Sequence, residues 1–286
     1  MTTIVPSSGL ILLGQLKTEW GVSTTATLRA FVAGGSYVMS GMLNGSGSPL
    51  PTGASTVFLT NFYGAPKSGT SFTYSTPGSY SFVVPGNMQI TIEAWGGGGA
   101  GGVSDGVSGT NGNDGTASQV IGGVVSMTAN GGLGGGGPGT FPSGGSGGTA
   151  SGGVTTNTTG SNGGSVVGTT EVSGAGGNAP GGGGTGGTSV SATVQGTYLN
   201  GNNGTAPGAG GSGIAFYTSA MGASSGAGAG GGSGGYSKSI YSSLSSGTVL
   251  TITVGSSGGS ISLTVSLGRT LNSGAGADGK VTITIS

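Results

Sequence analysis

Apolar and polar residues alternate in several short runs of this chain, and each run predicts a β-strand. In the run Met88–Trp95, for example, Ile90 and Ile92 fall on one side while Thr91 and Glu93 fall on the other. Successive side chains of a strand point to opposite faces of a sheet, so this alternation is typical of a strand with one buried face. The predicted strands are Phe72–Tyr74, Tyr80–Val84, Met88–Trp95, Val249–Val254, Ile261–Val265 and Val281–Ile285. We expect them to pair in one antiparallel sheet or sandwich.

Glycine dominates the chain between these two groups of strands. Of the 74 glycines in the chain, 53 lie between Gly96 and Gly235, a stretch whose charged residues are Asp105, Asp114 and Glu171. Gly makes up about 7% of an average protein. The pattern therefore predicts a mainly β domain, residues 68–286, in which strands 72–95 and 249–286 frame a large glycine-rich insertion, residues 96–235.

The glycine-rich zone allows two ordered structures and one disordered one. Gly runs can adopt the extended polyproline-II helix, with three residues per turn, and stack closely because they carry no Cβ. Amides and carbonyls then bond sideways to neighbouring helices, which satisfies the buried backbone. Candidate helices of such a polyglycine-II stack are Gly96–Gly99, Gly134–Gly137, Gly181–Gly184 and Gly230–Gly235. The alternatives are strands joined by long Gly loops and partial disorder.

The first part of the chain, residues 1–67, has a much lower Gly content than residues 96–235 and a different pattern. Apolar residues three or four apart predict short helices at Gly14–Trp20, Thr27–Val32 and Leu59–Tyr63. A segment of this size cannot build a large core, so we expect it to be stabilised by docking on another surface.

Composition narrows the chemistry. The chain has no Cys and no His, and its six Lys and Arg balance six Asp and Glu. Disulfides, thiolate metal sites and the commonest general base are thereby excluded. Such sparse cations do not form a phosphate-tracking surface, so nucleic acid is not an expected partner. The apolar run Leu10–Leu13 is too short for a signal peptide or a membrane span, which favours synthesis in the cytoplasm without cleavage. We expect no enzymatic activity, no cofactor and no metal.

Local motifs do not change this expectation. Gly274–Lys280 matches the start of a phosphate-binding loop, but Val281 replaces the required Ser or Thr and begins a predicted strand. Gly109–Gly115 is similar to one Ca²⁺-binding nonapeptide without a neighbouring repeat, and a turn is the better interpretation. Glu93 is expected to pair with Lys280 or to face solvent.

The first 66 residues contain the segments VPSSGLILLGQLKTEWG, ATLRAFVAGGSYV and LPTGASTVFLTNFYGA. Through these segments the N-terminal part resembles a module found near the N-termini of bacteriophage virion proteins. The chain departs from the family pattern at Gly14, often Ser, and at Phe31 and Val32, often aromatic. The resemblance implies a place on a virion. Candidate virion-attachment residues are Leu16, Trp20, Phe31, Tyr37, Phe62 and Tyr63.

Residues 70–286 contain the segments SYSFVVPGNMQITIEAWGGGGAGG, GGYSKSIYSSLSSGTVLTITVGSSGG and GADGKVTITIS. Through these segments this part of the chain resembles the glycine-rich domain that terminates many phage tail fibres. The resemblance implies an appendage subunit that recognises the host surface, in several copies or as a homo-oligomer, beside other virion subunits. A host glycan or an outer-membrane protein would be the receptor, and the protein would reach the virion after synthesis in the bacterial cytoplasm and be released by lysis.

Loops between the Gly runs hold the candidate receptor-binding residues, because aromatic rings and amides grip sugars and protein loops. These residues are Phe141, Tyr198, Asn200, Asn202, Phe216 and Tyr217. Packing is the competing interpretation for the rings, and Asn-Gly pairs such as Asn130-Gly131 and Asn200-Gly201 are typical turn formers. Two other functions stay open: a capsid or tail decoration protein without receptor binding, and a free extracellular ice- or surface-binding protein.

Overall fold

The computed structural model describes residues 70–85, 88–139, 141–167, 171–218, 225–245, 247–265 and 268–285. Within these ranges the protein is mainly β and has no α-helix. The predicted N-terminal helices and all six candidate attachment residues lie outside the described residues. The strands are β1 (Ser71–Tyr74), β2 (Gly78–Val83), β3 (Met88–Trp95), β4 (Val103–Ser104), β5 (Gly109–Thr110), β6 (Ser118–Gly122), β7 (Val125–Ala129), β8 (Ala150–Ser151), β9 (Thr156–Thr158), β10 (Thr197–Leu199), β11 (Ala215–Tyr217), β12 (Ser225–Ala227), β13 (Tyr236–Leu244), β14 (Val249–Val254), β15 (Ser262–Val265), β16 (Arg269–Asn272) and β17 (Lys280–Ile285).

Two five-stranded sheets contain most of the long strands. The first has the order β1-β17-β3-β13-β9 and the second β2-β14-β6-β7-β8, and their pairings are antiparallel. All six predicted strands are confirmed, but they divide between these two sheets and the small hairpin β15-β16. Strands β6, β7 and β13 were missed because they lie inside or beside the glycine-rich zone.

Both large sheets bury their apolar faces in one cluster. Alternation decides which side chains enter it: Ile90, Ile92 and Ala94 of β3 are fully buried, as the pattern predicts. Facing residues come from the second sheet, including Leu250 and Ile252 of β14. A buried aliphatic side chain contributes about 1.5–3 kcal/mol, so this cluster is the main apolar core of the molecule.

Twelve extended segments without sheet assignment make up most of the remaining described chain, and we call them the glycine segments. They span residues 96–102, 111–116, 130–137, 143–149, 159–166, 173–178, 184–190, 200–205, 209–214, 228–235, 255–260 and 273–279. In segment 96–102, successive amides donate to three neighbours in strict rotation. The amides of Gly96, Gly99 and Gly102 donate to segment 228–235, at 3.0, 2.9 and 2.8 Å. The residues between them donate alternately to segments 111–116 and 273–279.

This rotation has a period of three residues, whereas the hydrogen bonds of a strand alternate with a period of two. Its consequence is a lattice that extends in every sideways direction. Segment 96–102 also accepts hydrogen bonds from segments 130–137, 209–214 and 255–260, so it has six neighbours. Segments 228–235 and 209–214 have six neighbours each as well, and every residue in these three central segments is buried.

Only small residues fit such a lattice. The three central segments are built from Gly, Ala and Ser, with Ile214 at one end. A Cβ added at Gly98, Gly101 or Gly228 would come closer than 3.0 Å to a neighbouring backbone carbonyl, a separation that real Cβ atoms do not show. The glycine content is therefore a packing requirement of the centre.

At the surface of the lattice, polar side chains replace the missing neighbour. The Oδ1 atoms of Asn111 and Asp114 accept from the amides of Gly137 and Gly134, at 3.0 and 2.7 Å. Asn200 and Asn203 repeat the arrangement, accepting from Asn272 and Ala275 at 2.9 Å each. The two surface segments share the motif Asn-Gly-Asn-x-Gly-Thr-Ala, at 111–117 and 200–206.

Several local expectations are corrected. Of the predicted Gly runs, Gly181–Gly184 contains a turn: Gly181 and Gly182 have φ of 64° and 71°, which only Gly adopts readily. The Asn-Gly pairs at 130, 162 and 200 are not turns, and the Ca²⁺-like stretch 109–115 is β5 followed by a glycine segment. Glycines at every third position, rather than the dipeptide, decide these conformations.

Candidate functional site

The glycine segments run alternately up and down, so their connections collect at two ends. One end leads into the large sheets, and we call it the sheet end. At the other, the loop end, lie β4-β5, residues 138–139 and 141–142, residues 167 and 171–172, residues 191–199, β11-β12 and β15-β16. The candidate receptor-binding residues of the sequence lie at this loop end.

Phe216 and Tyr198 belong to an apolar cluster inside the loop end. Phe216 is completely buried with Val103, Ile214, Val265 and Leu271. The Tyr198 ring stacks on it, with centroids 6.2 Å apart and planes only 2° from parallel. The guanidinium carbon of Arg269 lies 4.8 Å from the centre of the Tyr198 ring. These two rings hold β10, β11 and β16 together, so the packing interpretation applies to them.

Tyr217 packs against a second cluster at the same end. The cluster consists of Val166, Ala192, Ala215 and Ala227, with Tyr217 half-buried at its border. Its members come from glycine segment 159–166, from residues 191–199, and from β11 and β12. Together the two clusters fix the bases of the loops, which leaves the loop tips as the accessible surface.

Asn200 and Asn202 are exposed, yet their amides are engaged within the lattice. The Oδ1 atom of Asn200 accepts from the amide of Asn272, and the Nδ2 atom of Asn202 donates to the carbonyl and hydroxyl oxygens of Thr188, at 3.0 Å each. A ligand would have to compete with these bonds.

Phe141 is the candidate that the structure presents to solvent, with 57% of its surface exposed. The sequence analysis missed three aliphatic companions: Val107, Val167 and Val194 are 84%, 78% and 68% exposed at other loop tips. Single valines among Gly, Ser and Thr carry no periodic signal. They could have been found only as large residues interrupting turns, as in Asp105-Gly106-Val107-Ser108-Gly109.

Hydrogen bonds between neighbouring connections place the loops that carry these four residues side by side around the loop end. The amide of Gly139 donates to the carbonyl of Val107 at 3.4 Å, and that of Val166 to Pro142 at 3.0 Å. The amide of Ala192 donates to Glu171 at 2.8 Å. The exposed apolar side chains therefore stand on loops that contact one another rather than on separate parts of the surface.

Charges are few and mostly engaged. At the loop end, Asp105 Oδ1 accepts from the amides of Val107 and Ser108, at 2.9 and 2.5 Å, and so closes its own turn. At the sheet end, Glu93 pairs with Lys238 at 3.5 Å and accepts the Tyr236 hydroxyl at 2.6 Å. Burial and the nearby Glu93 carboxylate raise the pKa of Tyr236 far above its ordinary value.

Lys280 is not the partner of Glu93, contrary to the expectation from sequence. Its ammonium lies 4.2 Å from the centre of the Trp95 ring, because Lys280 is opposite Trp95 in the β17-β3 register. The Trp95 ring also packs on Tyr236, and its Nε1 donates to the carbonyl of Pro180 at 2.9 Å. This group seals the junction between the first sheet and the glycine segments.

No grouping of three or more Asp or Glu that could hold a metal occurs among the residues described, and the same part of the chain contains no helix long and apolar enough to cross a membrane. The phosphate-loop-like stretch 274–280 runs straight into β17, so it has no helix N-terminus for a phosphate. Asp278, at its end, accepts the Ser257 amide at 2.8 Å.

Comparison with known protein families, curated proteins and solved structures finds no match to this chain. Its function must therefore be argued from its own residues.

Proposed function

We propose that this chain is a host-recognition subunit of a bacteriophage virion appendage, and that its loop end contacts the bacterial surface. In this proposal the two large sheets form a β-sandwich, and the glycine segments form a polyglycine-II stack built on it. Residues 1–67 are the virion-attachment module. The chain joins other virion subunits in many copies, is made in the bacterial cytoplasm and is released by lysis.

The observation that carries the proposal is the polarity of the domain. Ser71 of β1 lies opposite Thr284 of β17, so the described chain both begins and ends at the sheet end. The N-terminal segment, which resembles virion modules, is therefore attached at the pole opposite the exposed loop tips. A subunit held by that segment would point its loop end away from the particle.

The glycine lattice suits such a role because it holds many loops on one rigid base. Loops that are already ordered lose less entropy on binding, and this improves affinity without additional contacts. The four exposed tip residues, Phe141, Val107, Val167 and Val194, offer apolar contact, which favours an outer-membrane protein over a glycan as the receptor. Weak single contacts would be strengthened by the many copies on one particle.

Catalysis is not part of the proposal. Without His or Cys, the hydroxyls of Ser and Thr have no ordinary activating base. Four of the five carboxylates in the described part of the chain, Glu93, Asp105, Asp114 and Asp278, are engaged with amides, a hydroxyl or an ammonium, and the fifth, Glu171, lies apart from them on another connection.

Binding of the purified full chain to the host strain tests this proposal. We expect saturable binding and competition with adsorption of the particle. Phe141→Ser combined with Val194→Asp should reduce binding at least tenfold, while Val154→Asp should not, because Val154 is 71% exposed on the connection between β8 and β9 at the sheet end.

Two outcomes would favour the other functions. A chain that is present in purified particles but neither binds cells nor blocks adsorption is a decoration protein. A chain that is absent from purified particles and lowers the freezing point without lowering the melting point is an ice-binding protein.

A further inference from the structure

Three aliphatic side chains form a continuous patch on the outer face of the second sheet. Val83 of β2 lies directly opposite Val249 of β14, and the two are 51% and 53% exposed. Ile121 of β6 is 49% exposed and lies opposite Thr251, two residues along from Val249. Residues in this diagonal relation are close enough for long side chains to touch. We call Val83, Val249 and Ile121 the sheet-end patch.

The rest of this outer face is polar. Its other positions include Ser79 and Ser81 of β2, Thr253 of β14 and Ser126 of β7. A single exposed aliphatic residue needs no explanation, but adjacent ones on three neighbouring strands mark a surface that another segment covers. The alternation of the strands would allow Ser or Thr here just as it does nearby.

The position of the patch points to the occupant. The patch lies where β2 ends and β14 begins, which is the end of both strands that is farther from the glycine segments. β1 starts at the same end, where the carbonyl of Thr70 accepts from the amide of Ile285 at 3.0 Å. The Phe72 and Phe82 rings, 5.1 Å apart, fix the start of β1 on the buried side of β2, the edge strand whose outer side carries Val83. The chain before Thr70 is therefore attached at the same end of the sheets as the patch, with one edge strand between them.

We propose that residues 1–69 of the same chain cover the sheet-end patch. An extended chain advances about 3.3–3.6 Å per residue, packed sheets lie about 10 Å apart and neighbouring strands about 4.8 Å apart, so roughly ten residues span from Thr70 around the edge strand β2 to Ile121. The sequence before Thr70 offers the apolar runs Leu10–Leu13 and Val57–Leu59. Docking on the patch would bury apolar residues of a segment that cannot build a large core, and it would cover the exposed aliphatic side chains of the sheet.

The absence of cysteine makes this proposal directly testable. In the full chain, Val249→Cys places a single thiol in the patch. Val154→Cys is the matched control, because it lies away from the patch, on the connection between β8 at the opposite edge of this sheet and β9 of the other sheet, and is 71% exposed. The exposure of the two side chains alone predicts labelling rates within about twofold, since a thiol reacts according to its access and thiolate fraction. If residues 1–69 cover the patch, Val249→Cys is labelled at least tenfold more slowly.

A photo-crosslinker attached to the same thiol identifies what lies over the patch. We expect intramolecular products with peptides from residues 1–69 and protection that does not change with protein concentration. Dimeric products, or protection that grows with concentration, would assign the patch to a second copy and overturn the proposal. Equal labelling of the two thiols would overturn it too. Val83→Cys repeats the measurement from the adjacent strand if Val249→Cys fails to fold.

Discussion

A single methyl group added to the centre of the glycine lattice should destabilise the protein strongly. Gly98 lies in the central segment 96–102, and a Cβ there would collide with the carbonyl of Ala209 in the next segment. That carbonyl accepts a hydrogen bond from the amide of Ala277 at 2.8 Å, so it cannot move without breaking a contact with a third segment. We expect Gly98→Ala to show how far the close packing of backbone supports the fold.

The magnitude follows from two costs. Overpacking of a well-packed interior costs about 1–3 kcal/mol, and a buried amide left without its acceptor costs about 1–3 kcal/mol more. Replacing Gly by Ala recovers about 0.4–1 kcal/mol through the unfolded chain. The net expectation is a loss of about 3 kcal/mol from the free energy of unfolding, or about 6–12 °C in Tm for a domain of this size.

Urea or thermal unfolding followed by circular dichroism measures this loss. Gly259→Ala is the matched control, because an added Cβ at Gly259 meets nothing within 4 Å. Its Tm should stay within about 2 °C of the wild type or rise slightly. Equal stabilities of Gly98→Ala and Gly259→Ala would refute the reasoning, because backbone contact in the centre would then not limit the size of the residue.

Three further predictions concern individual side chains. Asn203→Asp should leave the free energy of unfolding unchanged within about 0.5 kcal/mol, because only the side-chain oxygen of Asn203 forms a hydrogen bond and Asp114 fills the equivalent place. Asn202→Asp should cost about 1–2 kcal/mol, because it loses two donated hydrogen bonds. Urea unfolding of the two variants compares them. The raised pKa of Tyr236 means that the folded state holds the phenol proton more tightly than the unfolded state does, so this contribution to stability is complete below pH 10 and falls as the pH rises above it. Between pH 9 and pH 11, the free energy of unfolding of Tyr236→Phe should therefore fall less than that of the wild type. An identical fall for the two proteins would contradict the assignment. Phe141→Ser alone should lower cell binding severalfold with no change in Tm, because its ring is exposed, and a matching loss of stability would instead make it a packing residue.

The strands that frame the domain could be predicted because their signal is local. Runs such as Val249–Val254 alternate cleanly, and alternation survives whatever the rest of the chain does. Their division into two sheets could not be predicted, because it depends on β6, β7 and β13, which reach the sheets from within or beside the glycine zone. Pairing across such distances leaves no mark in a single sequence.

The candidate site was predicted by region but not by residue. The loops that carry Phe141, Tyr198 and Phe216 do lie at one end, yet Phe216 is buried there and Tyr198 is stacked upon it. The local sequence around an aromatic residue among glycines is the same whether its ring packs under a loop or projects into solvent. Asn200 was assigned to binding or to a turn because its real role, accepting an amide from a segment 72 residues away, is invisible locally.

The side chains that close the surface of the lattice also set its size. A bundle of extended segments with free amides and carbonyls at its sides could bind further copies of itself, just as an open sheet edge can pair with a strand of another chain. At the surface, these amides are instead bound by the side-chain oxygens of Asn111, Asp114, Asn200 and Asn203. A side-chain oxygen accepts the hydrogen bond as a peptide carbonyl would, but it is not part of a further extended segment. These polar residues therefore limit the bundle to a defined cross-section and prevent each molecule from nucleating a fibre.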